Sequence, residues 1–116
     1  MGLFLKQGEW LMSDCIFCKI INGDFGTEFV YENDAAVVFK DINPQADTHL
    51  LVVPRLHVES LNELSDKNLL GELMMTVKIV TENLGIKSYK TLINTGKDAG
   101  QEVFHLHIHI LAGRIK

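Results

Sequence analysis

Near its end the chain carries a run in which histidines alternate with apolar residues. His105, His107 and His109 are each followed by an aliphatic residue, namely Leu106, Ile108 and Ile110. On a β-strand, a period of two puts the three imidazoles on one face, about 6.5 to 7 Å apart, and the aliphatic side chains on the other. We therefore expect a strand over residues 103–111 that anchors one face in a core and presents imidazoles from the other.

Three imidazoles in a row on a rigid element point to chemistry. Imidazole acts as a nucleophile, a proton donor or a metal ligand near neutral pH. The pattern itself leaves two alternatives open: a polar sheet face with incidental histidines, and a metal site that uses all three rings. The second alternative needs a bent strand, because neighbours on a straight strand diverge.

The rest of the sequence predicts an α+β domain around this strand. A short helix extends from Asp14, its expected N-cap, to Ile21. A long helix begins at Ser65–Asp66 and ends before Gly85, with an apolar stripe at helical spacing. Short connections favour an antiparallel sheet. The five predicted strands are Glu28–Glu32, Ala35–Lys40, His49–Val53, Tyr89–Asn94 and Val103–Leu111.

Length and charge exclude several classes of protein. With 116 residues the chain forms one domain, 14–116, and residues 1–13 lack periodicity and are expected to be a disordered extension. The net charge of −4 argues against a protein that binds nucleic acid by bulk electrostatics. No apolar run approaches the roughly 20 residues of a membrane span, and no signal peptide is evident, so we expect a cytoplasmic protein.

Two further features suggest ligands. Cys15 and Cys18 form a C-x-x-C pair, which in a reducing compartment is typical of a metal site or a redox pair. His49 and one strand histidine could complete a Cys₂His₂ set, although the spacing is not that of a zinc finger. His57 follows Pro54 in a predicted surface loop and is interpreted as solvated. The glycine-containing loop 94–102 is either a surface turn or a phosphate cradle.

Five segments together resemble the histidine triad (HIT) family, and within it the Hint-like branch of histidine triad nucleotide-binding proteins. The segments agree with the family in order and spacing over about residues 14–114. They are Ile16–Ile21, Phe39–Ala46, Thr48–Pro54, Gly100–Phe104 and His105–Leu111. The resemblance implies a HIT-like fold, a five-stranded antiparallel sheet with one long and one short helix. It also implies a homodimer with a continuous ten-stranded sheet, with which the apolar residues Leu70, Met74, Met75 and Ile79 of the long helix are compatible.

The same resemblance implies a hydrolase that cleaves nucleoside 5′-phosphoramidates, such as adenosine 5′-phosphoramidate. His107 is the implied nucleophile, which forms a nucleotidyl-histidine intermediate. The resemblance implies that His109 donates to a phosphate oxygen and that the carbonyl of His105 orients His107. It also implies that Asp41 binds the ribose of a purine nucleotide such as AMP. The implied base pocket consists of Phe17, Ile20, Phe39, Ile42 and Leu51, and the implied phosphate contacts are Asn94 and the amides of Gly100, Gln101 and Glu102.

Two points in the resemblance concern charge and metal. Glu102 stands where animal Hint proteins have serine. Its carboxyl group could protonate the leaving group if its pKa were raised, or the side chain could face away and leave the role to the backbone amide. Bacterial relatives with C-x-x-C imply a structural zinc, which maps here onto Cys15, Cys18, His49 and His105.

Three other functions remain open on the sequence. The first is a dinucleoside polyphosphate hydrolase on the same fold. The second is a non-enzymatic, nucleotide-binding regulatory protein, and the third is a zinc-storage or thiol-redox protein.

Overall fold

The computed structural model describes residues 14–116, so the predicted extension, residues 1–13, lies outside the described residues. Within residues 14–116, two α-helices and five strands form the domain. In chain order they are α1 Ile16–Ile21, β1 Tyr31–Glu32, β2 Ala36–Lys40, β3 Ala46–Pro54, α2 Lys67–Asn83, β4 Lys90–Leu92 and β5 Ile108–Ile115. Single 3₁₀ turns lie at Leu61–Glu63 and Lys97–Ala99.

All strands pair antiparallel, in the order β1-β2-β3-β5-β4. The last described element in the sequence, β5, is therefore an inner strand, which lies between β3 and β4. In this register Leu51 of β3 lies opposite His109 of β5, and His49 lies opposite Leu111. The predicted α+β class, with a five-stranded antiparallel sheet and one long and one short helix, is confirmed.

The helices cover opposite faces of the sheet. Leu73, Val77 and Val80 of α2 are buried in one core with the aliphatic residues that alternate with the histidines, Leu106, Ile108 and Ile110. Phe17 of α1 belongs to a second, smaller core on the other face, with Val37, Phe39, Leu51 and Val53. The period of two thus separates the side chains as expected, with the aliphatic residues of this run in the core that α2 covers.

Both ends of α2 are capped as the sequence predicts. The carboxylate of Asp66 accepts hydrogen bonds from the amides of Asn68 and Leu69. At the other end Gly85 adopts φ +71°, and the amides of Gly85 and Ile86 donate back to the carbonyls of Glu82 and Thr81. This is a Schellman motif, which needs a left-handed residue after the helix.

The last strand differs from the prediction at its start. Regular pairing of β5 begins at Ile108, whereas the sequence predicts a strand from Val103. The amide of Leu106 instead donates to the carbonyl of Val58 at 2.7 Å, in the segment that follows β3. Residues 103–107 therefore lie beside residues 54–58, outside the regular ladder. None of the described helices is long and apolar enough to span a membrane.

Candidate active site and metal centre

The three alternating histidines share the face of the sheet that α1 covers. His105 is fully buried and His107 is 8% exposed, whereas His109 is partly exposed. The ring of Phe17 meets those of His107 and His105 edge to face, with centroids 5.0 and 6.0 Å apart. The rings of His107 and His109 are 5.0 Å apart. The short helix α1 thus packs an aromatic ring directly against the histidine row.

A backbone hydrogen bond determines which nitrogen of His107 can react. Nδ1 of His107 lies 2.7 Å from the carbonyl oxygen of His105. A carbonyl only accepts, so Nδ1 carries the proton and the lone pair of the neutral ring resides on Nε2. Burial lowers the pKa of His107 below its ordinary value, although the His105 carbonyl and the charge of Asp41 oppose this. The neutral, nucleophilic form of the ring is therefore favoured.

The tautomer of His109 follows from a chain of hydrogen bonds. The amide of Gln45 donates to Nδ1 of His49 at 2.9 Å, so His49 is protonated on Nε2. That Nε2–H is 2.8 Å from Nδ1 of His109 and 3.3 Å from a carboxylate oxygen of Asp41. Nδ1 of His109 must then accept, and Nε2 of His109 carries the proton.

His109 is consequently a neutral hydrogen-bond donor whose Nε2–H has no acceptor among the described residues. Burial lowers its pKa to about 4, and the nearby rings of His107 and His49 add to the effect. Its Nε2 is buried and has no hydrogen-bond partner among residues 14–116. A buried N–H without an acceptor is costly, so it indicates a place where a ligand oxygen would bind.

A cavity of about 360 Å³ opens at this row. Eleven of the twelve residues predicted to contact nucleotide line it: Phe17, Ile20, Phe39, Asp41, Ile42, Leu51, Asn94, Gly100, Glu102, His107 and His109. Five more lining residues were not among the predicted contacts: Ile16, Thr27, Lys40, Asn43 and Val103. Four of these five adjoin a predicted contact in sequence, so the motif segments themselves could have suggested them. Apolar walls with a few convergent polar groups are typical of a small-molecule site.

Gln101 is the predicted contact that does not line the cavity. Its buried side chain donates to the carbonyls of Glu59 and Val103 at 2.7 and 3.0 Å, and accepts from the amide of Gly96. The amides of Gly100 and Gln101 donate to carbonyls of Lys97 and Gly96 in the same loop. These groups therefore hold the loop together, and two of the three amides predicted to cradle phosphate are already engaged.

A cluster of two cysteines and two histidines lies at the first of the three alternating histidines, His105. It comprises Cys15, Cys18, His57 and His105, whose ligand atoms lie within 4.8 Å of one another. Nδ1 of His105 is 3.3 Å from Sγ of Cys15, 3.6 Å from Sγ of Cys18 and 3.2 Å from Nδ1 of His57. Tetrahedral zinc, with bonds of about 2.3 Å to sulfur and about 2.05 Å to nitrogen, requires S···N separations near 3.5 Å and N···N separations near 3.3 Å. The donor set fits such an ion.

The surroundings of His105 also suit a metal ligand. Its Nε2 lies 2.8 Å from the carbonyl of Pro54, so this nitrogen carries the proton and the Nδ1 lone pair faces the cysteines. Burial lowers the pKa of His105 to about 4, which keeps the ring neutral. Burial raises the pKa of the Cys18 thiol to about 12, so without a cation this cysteine stays protonated. A bound cation would supply the charge that stabilises the thiolate.

The structure corrects one predicted metal ligand. His49 was expected in the cysteine cluster, but its two nitrogens are engaged by Gln45 and by His109 and Asp41. His57, interpreted from sequence as solvated, takes that place, with Nδ1 3.3 Å from Sγ of Cys18. The reason is the pairing of residues 103–107 with the segment after β3, which brings His57 beside His105. The sequence alone does not show that the Leu106 amide bonds to the Val58 carbonyl, and without that contact the position of His57 after Pro54 does not indicate a metal ligand.

Comparisons with known proteins agree with this geometry. The family model described as HIT domain matches residues 22–116. Protein HitA of Neisseria gonorrhoeae is 48% identical over 103 residues, which cover 86% of this chain and 96% of the relative. The purine nucleoside phosphoramidase of Escherichia coli is 35% identical over 108 residues, which cover 90% of this chain and 91% of the relative. The crystal structure of a histidine triad protein from Clostridium difficile superimposes with a TM-score of 0.83 at 41% identity, covering 89% of this chain and 93% of that one.

The assigned hydrogen-bond chain predicts the tautomer of His109. In the wild type above pH 6, His109 should be protonated on Nε2 alone, because Nδ1 accepts from His49. His49→Phe removes this donor and should give a mixture of both tautomers, measurable from the ¹⁵N chemical shifts of the ring. Thr48→Val, one residue away on β3, should leave the signals unchanged. An unaltered Nε2–H tautomer in His49→Phe would contradict the assignment.

Proposed function

The chain belongs to the HIT domain family, and we propose that it is a hydrolase that cleaves nucleoside 5′-phosphoramidates to the nucleoside monophosphate and an amine. Adenosine 5′-phosphoramidate is the simplest such substrate. The observation that carries the proposal is the 2.7 Å hydrogen bond from Nδ1 of His107 to the carbonyl of His105, which leaves Nε2 as the nucleophilic nitrogen. The 35% identity with the phosphoramidase of Escherichia coli supports the choice of bond.

The proposed reaction has two steps. Nε2 of His107 attacks the α-phosphorus, the P–N bond breaks, and the departing amine nitrogen takes a proton from solvent, which the attacking water returns in the second step. Water then attacks the nucleotidyl-histidine, which releases the nucleoside monophosphate and returns the ring to its neutral form. In the intermediate the ring is cationic, and the His105 carbonyl that accepts from Nδ1 stabilises this charge. Two displacements at one phosphorus avoid the assembly of substrate and water in one transition state.

The remaining polar groups of the cavity support substrate binding. Nε2–H of His109, which lacks a partner in the described chain, would donate to a non-bridging phosphate oxygen where charge develops. Asp41, which also contacts His49, would accept from the ribose hydroxyls. The aromatic and aliphatic walls, Phe17, Phe39 and Leu51 among them, would hold the purine base of an AMP-like nucleotide.

The cluster of Cys15, Cys18, His57 and His105 is proposed to hold a structural zinc. Four protein ligands leave no open position, so the ion would supply folding energy and thiolate stabilisation but no bound water. It would join α1 to the segment after β3 and to His105, whose carbonyl orients the nucleophile. A cytoplasmic location belongs to this proposal, because a reducing compartment keeps the two cysteines available as ligands.

A homodimer through α2 and β4 completes the proposal. β4 is a sheet edge whose three residues are all exposed, and an exposed edge offers unpaired backbone groups to a second copy. Leu70, Met74 and Met75 of α2 are 37%, 41% and 53% exposed, and Leu92 of β4 is 41% exposed. Apolar side chains at this density on a helix and a sheet edge are typical of an interface between like chains.

The nucleophile is tested by His107→Ala, assayed on an adenosine 5′-phosphoramidate. We expect kcat/KM to fall at least about 10³-fold, because the variant has no group that can form the covalent intermediate. Acid-quenched wild-type enzyme should carry a nucleotidyl adduct by mass spectrometry, and the variant should not. Turnover of His107→Ala equal to that of the wild type would refute the role of His107.

Metal analysis distinguishes the two candidate ligand sets. Purified wild type should contain about one zinc per chain, and Cys15→Ser, Cys18→Ser and His57→Ala should each lose most of it and unfold at lower temperature. His49→Phe should retain its zinc, because His49 lies outside the cluster. Loss of zinc in His49→Phe together with retention in His57→Ala would reverse the assignment.

The oligomeric state is tested by Met75→Glu. The wild type should sediment at twice the chain mass of 13.1 kDa, and the variant should sediment as a monomer, because a buried carboxylate without a partner weakens the interface. We expect the dissociation constant to rise at least about 100-fold. Leu56→Glu, at a 59% exposed loop residue, is the matched control and should remain dimeric. A monomeric wild type would contradict the proposal.

A further inference from the structure

A second cavity of about 280 Å³ adjoins the one that contains His107 and His109. The two cavities have Ile16, Glu102 and Val103 in common, so these residues form the wall between them. Glu102 is an exposed residue that lines both cavities, whereas His107 and His109 line the first cavity alone. A substrate whose reacting phosphorus lies at His107 and whose other end passes Glu102 would enter the second cavity.

Among residues 14–116, the acidic side chains that line the second cavity have no lysine or arginine beside them, and its other polar residues, Cys15 and His57, belong to the cysteine cluster. Three of its eight lining residues carry carboxylates, namely Asp14, Glu59 and Glu102. The apolar part of the wall consists of Ile16, Val103 and Phe104. Carboxylates beside an apolar surface complement an alkyl or aryl group that bears a positive charge, and they repel an anionic group.

The positions of the two glutamates are coupled by the buried Gln101. Its amide nitrogen donates to the carbonyl of Glu59 at 2.7 Å, and the residue precedes Glu102 in the chain. The same nitrogen donates to the carbonyl of Val103 at 3.0 Å. Gln101 therefore fixes the loop of Glu102 against the segment of Glu59, so that the cavity between them is held by buried hydrogen bonds as well as by surface side chains.

From this arrangement we infer that the second cavity receives the leaving group of the substrate, and that Glu102 and Glu59 select amines with an additional positive charge. The inference rests on the proposed function, because it concerns the amine released at the P–N bond. It goes beyond that function by assigning a leaving-group class. Glu102 acts here as a specificity-determining residue, distinct from a proton donor. An anionic leaving group, such as the nucleotide released from a dinucleoside polyphosphate, meets three carboxylates in this cavity.

The test uses three adenosine 5′-phosphoramidates of equal chain length and different terminal charge. Their leaving amines are 1,5-diaminopentane, pentylamine and 5-aminopentanoate, which end in an ammonium, a methyl and a carboxylate group. We expect wild-type kcat/KM to fall in that order by about twofold to fivefold at each step, as for charge pairs with exposed carboxylates. Higher ionic strength should reduce the differences, because it screens the carboxylates.

Variants assign the preference to particular residues. Glu102→Gln and Glu59→Gln should each bring the ratio of kcat/KM for the diamine and pentylamine conjugates toward one, by about twofold. Glu28→Gln makes the same charge change at an exposed residue that lines neither cavity, and it should retain the wild-type ratio. The ratio is independent of any general loss of activity in a variant.

The outcomes separate this inference from the proposed function. Equal kcat/KM for the three conjugates in the wild type would overturn the leaving-group site and leave the phosphoramidase intact. An equal fall for all conjugates in Glu102→Gln, with an unchanged ratio, would overturn the selecting role, because a proton donor acts on every leaving amine. Absence of turnover with all three conjugates would overturn the proposed function and this inference with it.

Discussion

The hydrogen bond between Nδ1 of His107 and the carbonyl of His105 is the interaction on which the site depends. His105 contributes twice: its ring belongs to the cysteine cluster, and its backbone oxygen determines the tautomer of the next histidine in the row. The ring of His105 also donates to the carbonyl of Pro54 in β3 and lies beside the thiols of Cys15 and Cys18 at α1. The nitrogen of His107 that we propose as the nucleophile is therefore oriented by the same residue whose ring contacts three segments of the chain.

Two separate hydrogen-bond systems thus prepare two neighbouring rings for opposite roles. The His105 carbonyl makes Nε2 of His107 an acceptor, and the Gln45–His49 chain makes Nε2 of His109 a donor. A lone pair and an N–H then lie on adjacent rings that line one cavity. Attack on phosphorus and stabilisation of its oxygens need this pair of properties, and burial keeps both rings neutral so that neither role is lost to protonation.

Periodicity and motif order predict the fold and most of the cavity, because both depend on residues that are close in sequence. Alternation along residues 105–110 suffices to separate the imidazoles from the core that α2 covers, and the caps of α2 follow from Asp66 and Gly85 alone. His57 was wrongly predicted to be solvated, and Gln101, predicted to contact nucleotide, does not line the cavity, both for a different reason. Each is placed by a contact with a segment that is distant in sequence, Leu106 to Val58 and Gln101 to Glu59, which no local pattern encodes. His49 was misassigned as a result, since a cysteine pair needs two further ligands and the resemblance offered it in place of His57.

The position of β5 in the sheet has a consequence for how the chain folds during synthesis. β5 follows every other element but lies between β3 and β4, so a nascent chain that lacks it presents two strands without their common neighbour. Until residues 103–115 leave the ribosome, the partially made sheet has exposed ladder edges that are prone to association with other chains. The sheet is therefore expected to close only once β5 has emerged, and truncation within β5 is expected to remove the whole fold rather than one edge of it.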